Sequence, residues 1–175
     1  DRLRWARLVV AAALAAGVLL ASRLFLATRA FPRVPALDGW PLLQPPLDAI
    51  ALGALFAALC GVAFAPRPRW WATAATVLAL VLALEDQSRW QPWFYQYVAM
   101  LGALAVARDA GNTLAAWRVV LVGLYLWSGI QKLNVTFMSR LFPWLVEPVA
   151  GALPDGPRQI LMACWIVVPI TEIAV

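Results

Sequence analysis

The sequence predicts an all-α, polytopic membrane protein with about five to six transmembrane helices and one interfacial amphipathic helix. Of its 175 residues, 63% are hydrophobic and only 13% are charged, whereas soluble domains carry about 25% charged residues. Several apolar runs approach the ~20 residues that are needed to cross a bilayer. These runs are rich in Ala and Leu and lack strand-like alternation, which favours helices over a barrel. We therefore expect one helical transmembrane domain over residues 1–175.

Breaks rich in proline, glycine and charge divide the chain into its elements. After a basic start, the first helix is predicted from Leu8 to Ala27, and a proline-rich connector follows it. The next four helices are predicted over residues 47–65, 70–84, 93–107 and 116–133. A last helix is predicted to begin near Arg158 and to continue to Val175. Because the chain starts with Asp and stops inside an apolar run, we expect it to be a fragment of a longer protein.

The segment after the fifth helix has a different pattern. Met138, Leu141, Phe142 and Leu145 follow one another at the i, i+3, i+4 and i+7 positions of a helix. This spacing places them on one apolar face. The segment is therefore predicted to be an amphipathic or re-entrant helix that lies at the membrane interface.

Composition also excludes several functions. The chain contains no histidine, which excludes Ser-His-Asp hydrolysis, histidine-ligated haem and the usual zinc sites, so no metal is predicted. The net charge of +5 comes mainly from arginines near helix ends, where basic residues anchor membrane proteins, and it does not indicate nucleic-acid binding. Basic residues are almost balanced between alternate connections, and the basic N-terminus favours a cytoplasmic location for that end.

Lys132 is the only lysine in the chain. Counted from Trp117, it lies ~22 Å along the fifth helix, in the outer third of the membrane. One interpretation is that the side chain snorkels to the headgroups. The other is that Lys132 lies in a protein cavity, where burial favours a neutral amine that accepts a proton.

The segment "EDQSRWQPWFYQY", residues 85–97, is the other dense polar cluster. It is either a solvated turn or, because the preceding helix rises only ~22 Å, a place where acids lie below the membrane surface. Acids within a membrane usually pair with a cation. We therefore predict that Lys132 or Arg89 approaches one of three acids, namely Glu85, Asp86 or Glu172 in the last apolar run.

A family resemblance is carried by "LWSGIQKLN". This segment resembles the AG-x-x-KL signature in the transmembrane domain of vitamin K-dependent γ-carboxylases and of their bacterial relatives, the HTTM proteins. The match covers roughly residues 69–175. The resemblance implies a quinol of the vitamin K type as cofactor, with Lys132 as the base that deprotonates it. It also implies a multi-pass protein of a bacterial inner membrane.

The sequence departs from this family at two places. Gln131 precedes Lys132 where the family often has a second lysine, and "WQPWF" stands where the carboxylases have an Asn-His pair. These departures favour a relative that keeps the quinol pocket, or only the fold. If the pocket is kept, an apolar ring needs an apolar wall, which we predict from Trp90, Tyr95 and Trp127, with Gln131 beside the base.

Three functional hypotheses remain open at this point. The first is an enzyme, carboxylase-like or a quinol-dependent oxidoreductase, with Lys132 as general base. The second is a non-enzymatic membrane scaffold or partner subunit of the same fold, in which Lys132 is structural. The third is a small transporter, which the intramembrane charges favour. The expected partners are membrane lipid, a lipid-soluble quinol, and either a second protein or a soluble domain that follows residue 175.

Overall fold

The computed structural model describes residues 2–27 and 31–174, and every regular element within these ranges is helical. The prediction of an all-α fold is confirmed. The chain divides into two compact units, residues 1–120 and residues 121–175. The boundary between the units falls inside one long helix, Ala110–Lys132.

The first unit is a ring of four antiparallel helices. Its elements are α1 (Arg2–Leu20), α2 (Ser22–Phe25), α3 (Leu47–Phe64), α4 (Pro68–Leu84), a short 3₁₀ turn (Gln87–Arg89), α5 (Pro92–Val106) and the first half of α6 (Ala110–Lys132). Helix α3 packs on α4, α4 packs on α5, and α1 closes the ring by contacting both α3 and α5. The short connections between α3 and α4 and between α4 and α5 impose the antiparallel order.

Small residues let these helices approach closely. The buried face of α4 consists mainly of alanines, Ala72, Ala75, Ala79 and Ala83, at helical spacing. On the facing helix α3, a Cβ atom added to Gly61 would lie only 2.1 Å from the ring of Trp71. Glycine at this position therefore makes room for an indole, as is typical of closely packed membrane helices.

Within the described ranges, three helices, α1, α3 and α6, are long and apolar enough to cross a membrane. Helix α4 is a shorter apolar helix of 17 residues. The first half of α6 is bonded to α5 of the same unit. The buried Trp117 of α6 donates a hydrogen bond from Nε1 to the Met100 carbonyl of α5 at 2.7 Å.

The second unit contains the end of α6 and a series of shorter helical segments. These are a π-helical turn (Phe137–Leu141), α7 (Phe142–Ala150), α8 (Asp155–Ala163), a 3₁₀ turn (Cys164–Ile166) and α9 (Val167–Ile173). Of the four residues predicted to form one apolar face, Met138, Leu141 and Leu145 are exposed and Phe142 is buried. The segment is helical as predicted, and most of its apolar face is open.

Helix boundaries differ from the prediction at three places. Helix α1 begins at Arg2 because arginine is a good helix former, and it ends at Leu20, before the separate α2. Helix α6 begins six residues earlier than predicted because Asp109 caps it, accepting a hydrogen bond from the Asn112 amide at 2.8 Å. The last helix is interrupted at residues 164–166, since Pro169 has no N–H to offer the preceding turn.

Candidate functional site

Lys132 lies in the last turn of α6, where two polar groups hold its amine. Nζ donates a hydrogen bond to Ser128 Oγ at 3.0 Å, one turn earlier on the same helix face. It also forms an ion pair with Glu172 Oε1 of α9. The side chains of Lys132 and Glu172 are 27% and 21% exposed, so both charges are largely withdrawn from solvent. The structure thus places the only lysine beside one of the three acids predicted from the sequence.

Gly129 explains why α9 comes close enough to supply Glu172. A Cβ atom at this position would lie 2.6 Å from Ile173 Cγ1 and 2.8 Å from the Pro169 carbonyl oxygen. No side chain fits there without displacing α9. The space beside Lys132 is therefore occupied by a second helix, and the i to i+3 offset from Gly129 to Lys132 puts the lysine against Glu172.

A cavity of about 330 Å³ opens beside Lys132. One wall is polar and consists of Ser128, Gln131, Lys132 and Asn134. The rest of its lining, which we call its apolar wall, consists of Phe137, Leu141, Trp144 and Leu145. Such a cavity, which we call the Lys132 cavity, suits a flat apolar molecule that carries one polar group at its edge.

Asn134 shapes the corner of the Lys132 cavity. Its Oδ1 accepts a hydrogen bond from the Phe137 amide at 2.8 Å, and its Nδ2 donates to the Gln131 carbonyl. These two bonds end α6 and start the next helical segment, as Asn does at helix caps. The chain therefore turns at this point, and Trp144 of the following segment lines the same cavity.

The aromatic residues predicted to line the quinol site lie elsewhere. Trp90 and Tyr95 line a separate, wholly apolar cavity of about 310 Å³ in the first unit, formed by α4 and α5. Trp127 is 61% exposed on α6 and lies outside both cavity linings. Of the four predicted substrate-binding residues, only Gln131 lines the Lys132 cavity, and Phe137 and Trp144 provide its aromatic wall.

A buried group of charged residues follows the C-terminal end of α4. It contains the predicted acids Glu85 and Asp86 and the predicted base Arg89. Arg89 is 1% exposed, and its Nη1 contacts Glu85 Oε2 at 3.2 Å. The same guanidinium donates to the Leu82 carbonyl at 2.6 Å and to the Leu24 carbonyl at 2.8 Å. Asp86 Oδ1 accepts from the Ser88 amide at 3.1 Å and caps the 3₁₀ turn.

The proline-rich connector is fastened to this group. Glu85 Oε1 accepts a hydrogen bond from the Leu43 amide at 2.7 Å, and Arg33 Nη1 donates to the Leu43 carbonyl at 2.6 Å. Arg33 also lies 3.9 Å from Glu85. We call Arg33, Glu85 and Arg89 the charge cluster. Glu85 binds the backbone of the connector, and Arg89 binds the backbone of α2 and α4. The charge cluster therefore fixes the connector and α2 against the C-terminal end of α4.

Sequence reasoning missed Ser128, Asn134 and Trp144. Ser128 had a usable signal, because it precedes Lys132 by one helical turn. Asn134 had a weaker one, as Asn directly after a long apolar helix is typical of a helix end. Trp144 had none, since its position depends on the π-helical turn that precedes α7.

Comparison of the chain with protein-family models, with curated proteins and with solved structures finds no match.

Proposed function

We propose that the chain is a multi-pass membrane protein with five complete spans and part or all of a sixth, and that its second unit binds a lipid-soluble quinol. Large apolar side chains at the surface support the membrane location, since contiguous apolar surface is unfavourable in water. Leu20, Phe64 and Val106 are 91%, 77% and 82% exposed. A bacterial inner membrane, with the N-terminus in the cytoplasm, is the location that we propose.

The observation that carries the proposal is the position of Lys132 in a cavity with one polar and one apolar wall. A quinol has the same division, with a flat apolar ring and a hydroxyl at its edge. In this proposal the ring lies against Phe137 and Trp144, and the hydroxyl meets Lys132. Ser128 and Gln131 lie beside the amine and orient the hydroxyl by hydrogen bonds.

The Lys132–Glu172 pair provides a route for the proton. In the first step, Lys132 passes a proton to Glu172 Oε1, which turns an ammonium and a carboxylate into an amine and a carboxylic acid. In the second step, the quinol O–H bond breaks, its proton forms a new N–H bond on Lys132, and the quinolate remains beside the restored ammonium. Lys132 is thus the general base that contacts the substrate, and Glu172 is the group that holds the proton.

Two substitutions of Lys132 in the intact protein test this role. Lys132→Ala should lower the rate at which the quinol is deprotonated by about 10²–10⁴, the typical loss for a missing general base. Lys132→Arg should fail as well, because a guanidinium stays protonated and does not accept the proton. The rate is measured from the absorbance change of a reduced naphthoquinone, and the thermal unfolding midpoint is recorded as a control for folding. An active Lys132→Arg protein would remove Lys132 from the mechanism.

A non-enzymatic scaffold is the second candidate, and the packing at Gly129 favours it. The Lys132–Glu172 pair clamps α9 to α6 directly beside that glycine. If clamping is its whole role, Lys132→Arg keeps the ion pair and the unfolding midpoint, and lipid extracted from the purified protein contains no quinone. Quinone in the extract of the unmodified protein, lost in Lys132→Ala, favours the enzyme instead.

A further inference from the structure

The first unit has another cavity besides the one lined by Trp90 and Tyr95. It has a volume of about 300 Å³ and lies between the start of α1, the connection from α3 to α4, and the connection from α5 to α6. Arg67 and Arg69 line it together with Leu3, Trp70 and Leu104. Its lining therefore combines two arginines with apolar residues. We call this cavity and its surroundings, residues 2–7, 65–70 and 104–110, the basic end of the unit.

The two arginines of the cavity differ in what holds them. Arg69 donates a hydrogen bond from Nη2 to the Arg108 carbonyl, which fixes the guanidinium at the cavity wall. Arg67 is exposed and makes no hydrogen bond or ion pair with any residue in the described ranges 2–27 and 31–174. Arg69 is thus held in position before a ligand arrives, and Arg67 is available to contact that ligand. Guanidinium groups match phosphate oxygens through paired, charge-assisted hydrogen bonds.

The surroundings are strongly positive. Among the residues that the structure describes at the basic end, six are arginine and one is acidic, and the arginines are Arg2, Arg4, Arg7, Arg67, Arg69 and Arg108. The acidic residue, Asp109, lines the cavity, and its two oxygens accept bonds from the Asn112 amide and side chain at 2.8 and 2.7 Å. An anion with at least one full charge is therefore favoured there.

The apolar part of the lining narrows the choice of anion. Leu3 and Leu104 give the cavity a hydrocarbon wall, and Trp70, 76% exposed, is a residue type that concentrates at the headgroup level of bilayers. A free phosphate or a nucleic acid leaves this wall uncovered, whereas a phospholipid covers it with the first carbons of its chains. Basic pockets between transmembrane helices are a known form of lipid-headgroup site.

We propose that this cavity binds the phosphate headgroup of an anionic phospholipid in the cytoplasmic leaflet, with Arg67 and Arg69 contacting the phosphate. The proposal rests on the membrane location given above and not on the chemistry of Lys132. Arg67, which has no partner among the described residues, would then have the lipid phosphate as its partner.

The test compares binding of phosphatidylglycerol and phosphatidylcholine to the purified intact protein by native mass spectrometry. Arg67→Gln should weaken phosphatidylglycerol binding about fivefold, the usual contribution of one basic residue near an anionic bilayer surface. It should weaken phosphatidylcholine binding less, because the choline ammonium already balances the charge of that phosphate. Arg140→Gln, which removes an exposed arginine from the second unit, is the matched control and should have no effect. Glycerol phosphate, which lacks acyl chains, should compete poorly.

Three outcomes would overturn the proposal, namely equal binding of the two lipids, an equal loss in Arg140→Gln, or full competition by glycerol phosphate. Carbonate extraction of membranes and quinone content are measured on the same proteins. A chain that carbonate removes from membranes contradicts the proposed membrane location, whereas an inserted, quinone-containing protein without lipid preference contradicts only this inference.

Discussion

At the scale of single residues, burial decides what an ion pair contributes. Among the residues that the structure describes, two Arg–Glu pairs have the same N–O distance of 3.2 Å. Arg89 and Glu85 have fully buried side chains, whereas Arg158 and Glu147 are 44% and 53% exposed. Removing one partner of a buried pair leaves a charge that water does not reach, whereas an exposed charge is simply solvated.

The two pairs should therefore respond differently to the same substitution. Glu85→Gln should lower the free energy of unfolding by about 3–5 kcal/mol, because a neutral amide then replaces the carboxylate at 3.2 Å from the buried Arg89. Glu147→Gln, the matched control, should change it by about 0–1 kcal/mol. Both values come from denaturant unfolding in detergent micelles. Equal effects of the two substitutions would show that the charge cluster does not stabilise the first unit.

At the scale of elements, the site around Lys132 depends on how closely two helices approach. Gly129 and Gly123 both lie on α6, but only Gly129 faces another helix. A Cβ atom at Gly129 would overlap Ile173, whereas one at Gly123 would meet no atom within 4 Å among the described residues. The pairing of Lys132 with Glu172 follows from that contact.

Alanine at the two glycines should separate helix propensity from helix packing. Gly123→Ala should be neutral or stabilise the protein by up to about 1 kcal/mol, since alanine is the better helix former. Gly129→Ala should destabilise it, because α9 must move, and it should also weaken quinone binding as Glu172 leaves Lys132. Thermal unfolding and the quinone content of the purified variants measure both effects. If Gly129→Ala retains bound quinone and the native midpoint, α9 does not position the site.

At the scale of the whole molecule, orientation depends on which charges remain at the surface. In the sequence, basic residues are almost balanced between the two sides. In the first unit, however, Arg33 and Arg89 are largely withdrawn from solvent, with side chains 10% and 0% exposed, and both lie near Glu85. Among the described residues of this unit, the other arginines lie mainly at the basic end, with Arg23 and Arg118 outside it. The proposed orientation, with the basic end in the cytoplasm, agrees with the positive-inside tendency.

Cysteine labelling in intact cells should reveal this orientation. In a background that lacks Cys60 and Cys164, the two native cysteines, Asp38→Cys should react with a membrane-impermeant maleimide. Arg108→Cys should react only after the membrane is permeabilised. Both native residues are exposed in the structure, so a difference in labelling reports the side of the membrane. The reverse pattern would place the N-terminus outside.

Hydrophobic patterning made the helices predictable from sequence. Apolar runs bounded by "PRPR", "EDQSRWQP" and "PDGP" located most of the elements, because backbone in apolar surroundings satisfies its hydrogen bonds by forming helices. The candidate partners of the buried charges were also predictable, because few acids lie inside or next to the apolar runs. The sequence also singled out Lys132 as the only lysine.

Which partner each charge takes was decided by the tertiary structure alone. Glu85 could pair with Lys132 or Arg89 as far as composition is concerned, and the turn at Gln87–Arg89 settles this in favour of Arg89. Trp90 and Tyr95 were expected beside Lys132 but line another cavity, and Trp144, 12 residues beyond Lys132, takes that place. Hydrophobicity determines that a segment is buried, but contacts between segments depend on shape, on glycines such as Gly129, and on turns whose geometry no local pattern specifies.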